Sequence, residues 1–175
     1  MITRRGLLNR VLPVSLALPA VLAGCGWEPL YADSQTAAGS ADLRAIKVNP
    51  IAERTGQNLE MGLRNSLNPN HEPTKPLYLL KVALTQSLQD LGIQSQGLGT
   101  RGEVQITASY QLVEFPSGKA LQSASIHAND SFDIQANGYS TVVAEDDAKT
   151  RCVEELRREI VARLTLFMQN KPKTS

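Results

Sequence analysis

The chain has 175 residues, with 18 Lys and Arg against 17 Asp and Glu, a length that suits one small domain with a real core rather than two. The near balance of charge argues against nucleic acid as the main partner, because that would call for a basic face. Two cysteines, Cys25 and Cys152, are too few for a disulfide framework.

At the N-terminus, Arg4, Arg5 and Arg10 flank the start of an apolar run over residues 11–23, which closes on Leu22-Ala23-Gly24-Cys25. A basic start, an apolar stretch of roughly a dozen residues and small residues before a cut mark an export signal, and the stretch falls short of the about 20 residues a spanning helix needs. Leu-Ala-Gly before Cys adds a bacterial lipobox. The thiol of Cys25, once N-terminal, takes a thioether-linked diacylglycerol, and the freed amine takes a further acyl chain. Each buried methylene contributes about 0.8 kcal/mol, so two or three chains hold the product on a membrane. The plainer alternative is an ordinary signal whose cut falls near a cysteine. Residues 1–24 carry three of the basic residues and none of the acidic ones, so the expected product, residues 25–175, has 151 residues and a formal charge of −2. Export by the general secretory route is expected, although Arg4-Arg5 also resembles a twin-arginine signal. With Cys25 lipidated, Cys152 has no partner and reads as a small buried apolar residue.

After Cys25 comes the amphipathic cluster Gly26-Trp27-Glu28-Pro29-Leu30-Tyr31. It can lie at the headgroup level, pack on a partner or dock on the chain's own domain. The Ala, Ser and Gly that follow make residues 25–42 a lipidated start and flexible tether. Residues 43–48 alternate weakly and stop at Asn49-Pro50, which predicts a first strand. Leu59, Leu63 and Leu67 recur every four residues, with Thr55 as the N-cap and Asn68-Pro69 as the stop, which predicts a helix. Gly56 and Gly62 each lower its propensity by about 1 kcal/mol relative to Ala, so it must be held by packing.

Residues 77–85 predict a strand whose core face holds Tyr78, Leu80, Val82 and Leu84, with Leu77 and Leu79 opposite. Val104, Ile106, Ala108, Tyr110 and Leu112 alternate with polar residues in the cleanest strand of the chain. Pro116-Ser117-Gly118 turns it, and residues 121–132 return antiparallel with Ala124, Ile126, Ala128 and Phe132 on one face. Asn137-Gly138 punctuates the chain, and a helix follows from about Ser140 to Phe167. Its stripe is Val153, Leu156, Ile160, Leu164 and Phe167. Glu154 and Arg158, and Glu159 and Arg163, are spaced as i,i+4 pairs. Glu145, Asp146 and Asp147 suit the positive end of the helix dipole. Residues 43–170 thus form the working domain, and residues 171–175 a polar tail.

No residue pattern here is catalytic, and no metal or cofactor is called for. His71 and His127 lack metal-ligand spacing, and the serines lack a nucleophile motif. Gly97-Leu98-Gly99-Thr100-Arg101-Gly102 matches the dinucleotide pattern G-x-G-x-x-G, but a strand rather than a helix follows, so it reads as a hairpin loop. A tethered domain without such chemistry works by binding.

Cys25-Gly26-Trp27-Glu28-Pro29-Leu30-Tyr31, then Ile51-Ala52-Glu53-Arg54-Thr55-Gly56-Gln57 with Leu63-Arg64-Asn65, resemble the lipopolysaccharide-assembly lipoprotein family LptE in its alphaproteobacterial style. Thr100-Arg101, Tyr110-Gln111-Leu112, the start of the last helix around Ala148 and the order β-α-β-β-β-α extend the likeness. Trp27-Glu28 departs from it, since Phe followed by a polar residue is expected there. The resemblance implies an α+β two-layer sandwich, a mixed or antiparallel sheet of about four strands packed by two helices. It further implies an outer-membrane lipoprotein that plugs and helps assemble the β-barrel LptD and assists lipopolysaccharide insertion into the outer leaflet. Gly26 after the lipidated Cys25 fits outer-membrane sorting. Lipopolysaccharide carries phosphates, so Lys81, Arg101 and Lys119, on or near strand ends, are candidate contacts. Ordinary solvated charges are the other reading of these three. A general adaptor lipoprotein of another envelope complex is the alternative function.

Overall fold

The computed structural model describes residues 38–90 and 101–171. The lipobox Leu22, Ala23 and Gly24, the lipidation residue Cys25, the cluster around Trp27, residues 97–100 of the glycine loop and residues 172–175 lie outside the described residues.

A short helix α1 (Ala38–Arg44) leads into β1 (Ile46–Val48), α2 (Glu53–Leu67), β2 (Tyr78–Asp90), β3 (Arg101–Glu114), β4 (Ala120–Asp133) and the long α3 (Gly138–Asn170). The strands form one sheet in the order β1-β2-β3-β4. β1 runs parallel to β2, and the other pairs are antiparallel. The parallel pair needs a crossover, which α2 provides. The expected α+β fold and its order β-α-β-β-β-α are therefore observed, with α1 added in front.

Four local expectations are corrected. The first strand begins at Ile46, because Leu43 and Arg44 belong to α1, where a tether and a strand start were expected. α2 begins two residues before Thr55, with Ala52 at the N-cap and no side-chain cap. The carboxylate of Glu60 reaches back instead and accepts from the Ile51 N–H at 2.9 Å. α3 starts at Gly138, with the Asn137 side chain accepting from the Tyr139 N–H, so Glu145, Asp146 and Asp147 lie beyond the first turn, where the dipole is felt. Glu145 pairs with Lys149 at 2.6 Å instead. Finally, Glu154 pairs with Arg157 rather than Arg158, because Arg157 is also drawn across to Ser66 of α2 at 2.7 Å.

The alternation of β3 explains the core. Val104, Ile106, Ala108, Tyr110 and Leu112 are buried under the helices, together with Leu80, Ile126, Ala128 and Phe132 from the neighbouring strands. Leu59, Leu63 and Leu67 of α2 and Cys152, Leu156, Ile160 and Leu164 of α3 close the layer. A fully buried Leu or Ile stabilises the fold by about 1.5–3 kcal/mol, which outweighs the weak propensity of a helix containing Gly56 and Gly62. Gly56 has a packing reason: a Cβ there would lie 2.6 Å from Cγ2 of Ile51. The β3–β4 turn needs its glycine too, since Gly118 takes φ +71°, a conformation open to residues without a Cβ.

Candidate functional site

Among the described residues, helices cover one face of the sheet only. Period-two alternation puts the other residue set on the open face, and the register aligns that set in rows. Ala83, Ser109 and Ser125 form one row, Thr85, Thr107 and His127 the next, and Ser87, Gln105 and Asn129 the one after. The Ser109 and Ser125 hydroxyls meet at 3.2 Å, and the Asn129 amide donates to the Glu103 carboxylate at 3.2 Å. The centre of this face is therefore neutral and rich in hydrogen-bonding groups. Lys81 stands toward one end, and Glu103 and Arg101 toward the other.

The Arg101 end also holds a cavity of about 460 Å³ between the strand ends and α3, lined among others by Arg101, Ser131, Phe132, Asp133, Asp147 and Arg151. Arg101 Nε donates to the Ser131 hydroxyl at 3.1 Å. Arg151 forms an ion pair with Asp130. That hydrogen bond holds the Asp130 carboxyl below its usual range, against an opposing desolvation cost and with help from the Ser131 N–H. The same contact raises the already high Arg151 pKa. Beside the cavity the first turns of α3 run past the core. Tyr139 is 77% exposed, and Val142 and Val143 are exposed with it, an apolar stripe at i, i+3 and i+4. Leu88, 53% exposed, lines a smaller cleft with Val104 and the Glu145–Lys149 pair.

The three cations singled out in the sequence do not converge. Arg101 sits at the cavity, whereas Lys81 pairs across from Gln111 and lies about 33 Å along the sheet, at about 3.3 Å per residue. Lys119, next to the paired residues Val113 and Ala120, lies about 40 Å away by the same rise. Arg151 and Asp130 were missed, since 21 residues separate them and neither belongs to a short motif. Of the glycine stretch only Arg101 and Gly102 are described, and they belong to β3, where a loop was expected; the strand pairing of both residues also leaves no helix start there. His127 is exposed on the open face and His71 is exposed in the α2–β2 loop. Cys152 is 1% exposed, as a small core residue should be. Among the described residues no helix is long and apolar enough to cross a membrane.

The fold is shared with bacterial lipoproteins. A protein of Caulobacter crescentus CB15 put forward as a lipoprotein superposes with a TM-score of 0.62 at 18% identity, over 76% of this chain and 97% of that one. A minor lipoprotein of Acinetobacter baumannii gives 0.56 at 19% identity, over 69% and 90%. No protein-family model and no curated protein sequence matches the chain.

Proposed function

We propose that the chain is a lipid-anchored outer-membrane protein that seats in the lumen of the lipopolysaccharide-translocating β-barrel LptD, helps the barrel assemble and assists lipopolysaccharide insertion into the outer leaflet. The observation that carries this reading is the face of the sheet that no helix covers among the described residues. Barrel interiors are polar, and a large single-sign field would be costly to enclose. A broad face of Ser, Thr, Gln and Asn with charge only toward its ends meets both demands. The resemblance that runs from Cys25 to the last helix, and a fold held in common with envelope lipoproteins, support the same reading. Cys25, with Leu22, Ala23 and Gly24 before it, carries the anchor. The chain works by binding, with no catalytic step and no cofactor.

Lipopolysaccharide offers phosphates beside acyl chains. Arg101 lines the cavity together with Ser140 and Ala144 of α3, the helix whose first turns carry the exposed Tyr139, Val142 and Val143, and is the preferred contact. Lys81 and Lys119, toward the other end of the sheet, are separate candidate contacts for the same ligand. Gentle detergent extraction of outer membranes, with a tag after Ser175, tests the function. A large β-barrel recovered in equal amount supports it. Recovery of a different envelope complex replaces it with the adaptor reading, and recovery of the chain alone rejects the barrel partnership.

A further inference from the structure

The open face of the sheet is not polar throughout. At the end where the chain enters the domain, Lys47, Leu79 and Val113 stand in one cross-strand row. Leu77 and Phe115 follow the same alternation one row further out, joined by a 2.8 Å hydrogen bond from the Phe115 N–H to the Leu77 carbonyl, and they are 52% and 48% exposed. One row inward, Lys81 is exposed beside Gln111, diagonal to Lys47 at about 8 Å between backbones. Among the described residues neither lysine has an ion pair or a hydrogen bond. Counting along β3 from Gln111, the first acid on this face is Glu103, about 26 Å away. Exposed Leu and Phe beside uncompensated Lys make a surface suited to an anionic membrane interface, where apolar area and cationic charge both contribute to binding.

We infer that this end of the open face lies on the phospholipid leaflet that carries the lipid anchor, with Leu77, Leu79 and Phe115 against the acyl chains and Lys47 and Lys81 on headgroup phosphates. This placement rests on the anchor proposed at Cys25. Two lengths favour that leaflet. Twelve residues separate Cys25 from Ala38, about 45 Å at full extension, and α1 delivers the chain beside the patch, since the Ala45 carbonyl accepts from the Leu77 N–H at 3.0 Å. From Leu77 to Asp90 the sheet is about 43 Å long at about 3.3 Å per residue, against an apolar band about 25 Å tall in an outer-membrane barrel. A chain seated in the lumen therefore extends past that band to the level of the headgroups, and its anchored end is the one held near the anchored leaflet. Lipopolysaccharide offers the same phosphates, but in the opposite leaflet, across about 30 Å of hydrocarbon. Lys81 is thereby given to the anchored leaflet, and lipopolysaccharide to the Arg101 end.

The lipidated full chain, carrying Gln111→Cys beside the patch or Asn129→Cys toward the far end of the same face, is labelled with a fluorophore; Cys152 is buried and is spared. Each is reconstituted into vesicles of phosphatidylethanolamine and phosphatidylglycerol that hold a headgroup-attached nitroxide quencher. Quenching at position 111 is expected to be at least threefold that at position 129. Lys47→Gln with Lys81→Gln, and separately Leu77→Ser with Phe115→Ser, should each bring the ratio below 1.5 while the far-ultraviolet circular dichroism stays unchanged. Equal quenching at the two positions overturns the docking, as does a ratio that survives either pair of substitutions. Excess lipopolysaccharide that halves the quenching at position 111 overturns it too, and gives the patch to that ligand. A chain that does not float with the vesicles removes the anchor and the docking together, whereas one that floats with equal quenching removes the docking alone.

Discussion

The Phe132 ring lies against the backbone of Gly102, its partner across the β3–β4 ladder, so closely that a Cβ at position 102 would fall 2.5 Å from Cζ and 2.8 Å from Cε1. Glycine is required there by the ring, which is itself buried and lines the cavity beside Arg101. Gly102→Ala should cost about 1–3 kcal/mol through overpacking, and Phe132→Ala about 3–5 kcal/mol through the void left behind. Because the two side chains compete for one volume, the double variant should be more stable than the sum of the single effects allows. Urea unfolding of the four species tests this, and strict additivity would contradict the contact.

Much of this architecture was legible because one face of each element is buried. The alternation of β3 and the four-residue spacing of Leu59, Leu63 and Leu67 each name a core face without ambiguity. What was hidden came from long-range contacts. β2 was expected to stop at Thr85, yet it continues to Asp90 because β3 pairs with it along the whole length, Leu88 with Val104 and Asp90 with Gly102. Helix starts were misplaced for a local reason: Glu60 and Asn137 supply the polar contacts at α2 and α3 that Thr55 and the acidic run were expected to supply. Arg101 could be named from its position at a strand start. Its neighbours Arg151 and Asp130 meet only once α3 is laid along β4.

Exposed and buried apolar residues of α3 should separate cleanly on substitution. Ile160 is fully buried, so Ile160→Ala should lose about 2–5 kcal/mol. Tyr139, Val142 and Val143 project into solvent, and changing each to Ser should alter stability by no more than about 0.5 kcal/mol per site. If the stripe meets acyl chains, the triple variant will bind lipopolysaccharide at least fivefold more weakly while unfolding at nearly the same urea concentration. Equal binding would remove the stripe from the proposed contact.

Cys152 should be inert while the chain is folded. Its thiol points toward the Val104 carbonyl, with Sγ and O 3.9 Å apart, and burial, reinforced by the Asp130 and Glu155 carboxylates, pushes its pKa from 9.0 up to about 11. The thiolate is the reactive form, so a thiol reagent at pH 8 should modify the protein in urea and spare it in buffer. Folding holds the proton more tightly than the unfolded chain does. The contribution is therefore whole below about pH 9 and is lost as the pH rises through about 11, by linkage. Cys152→Ala should flatten the alkaline fall in stability over that window. Rapid labelling of the native protein would contradict the packing around the thiol.

The Asp130–Arg151 pair should set part of the acid response. Hydrogen bonding from Arg151 lowers the Asp130 carboxyl below its ordinary 3.8. A depressed folded pKa contributes stability that is fully present above the unfolded value and lost as the pH falls through the folded one. The contribution is whole at neutral pH and is lost only as the pH falls below about 4. Both groups are partly exposed, so the contribution is small and screened by salt. Asp130→Asn should flatten the acid limb of the stability profile at low salt and change little in 1 M salt. Arg151→Gln should return the Asp130 carboxyl toward its ordinary value, read from its side-chain carbon shift during titration. An unmoved titration in that variant would show that Arg151 is not the group holding the carboxylate, and the Ser131 N–H would become the principal cause.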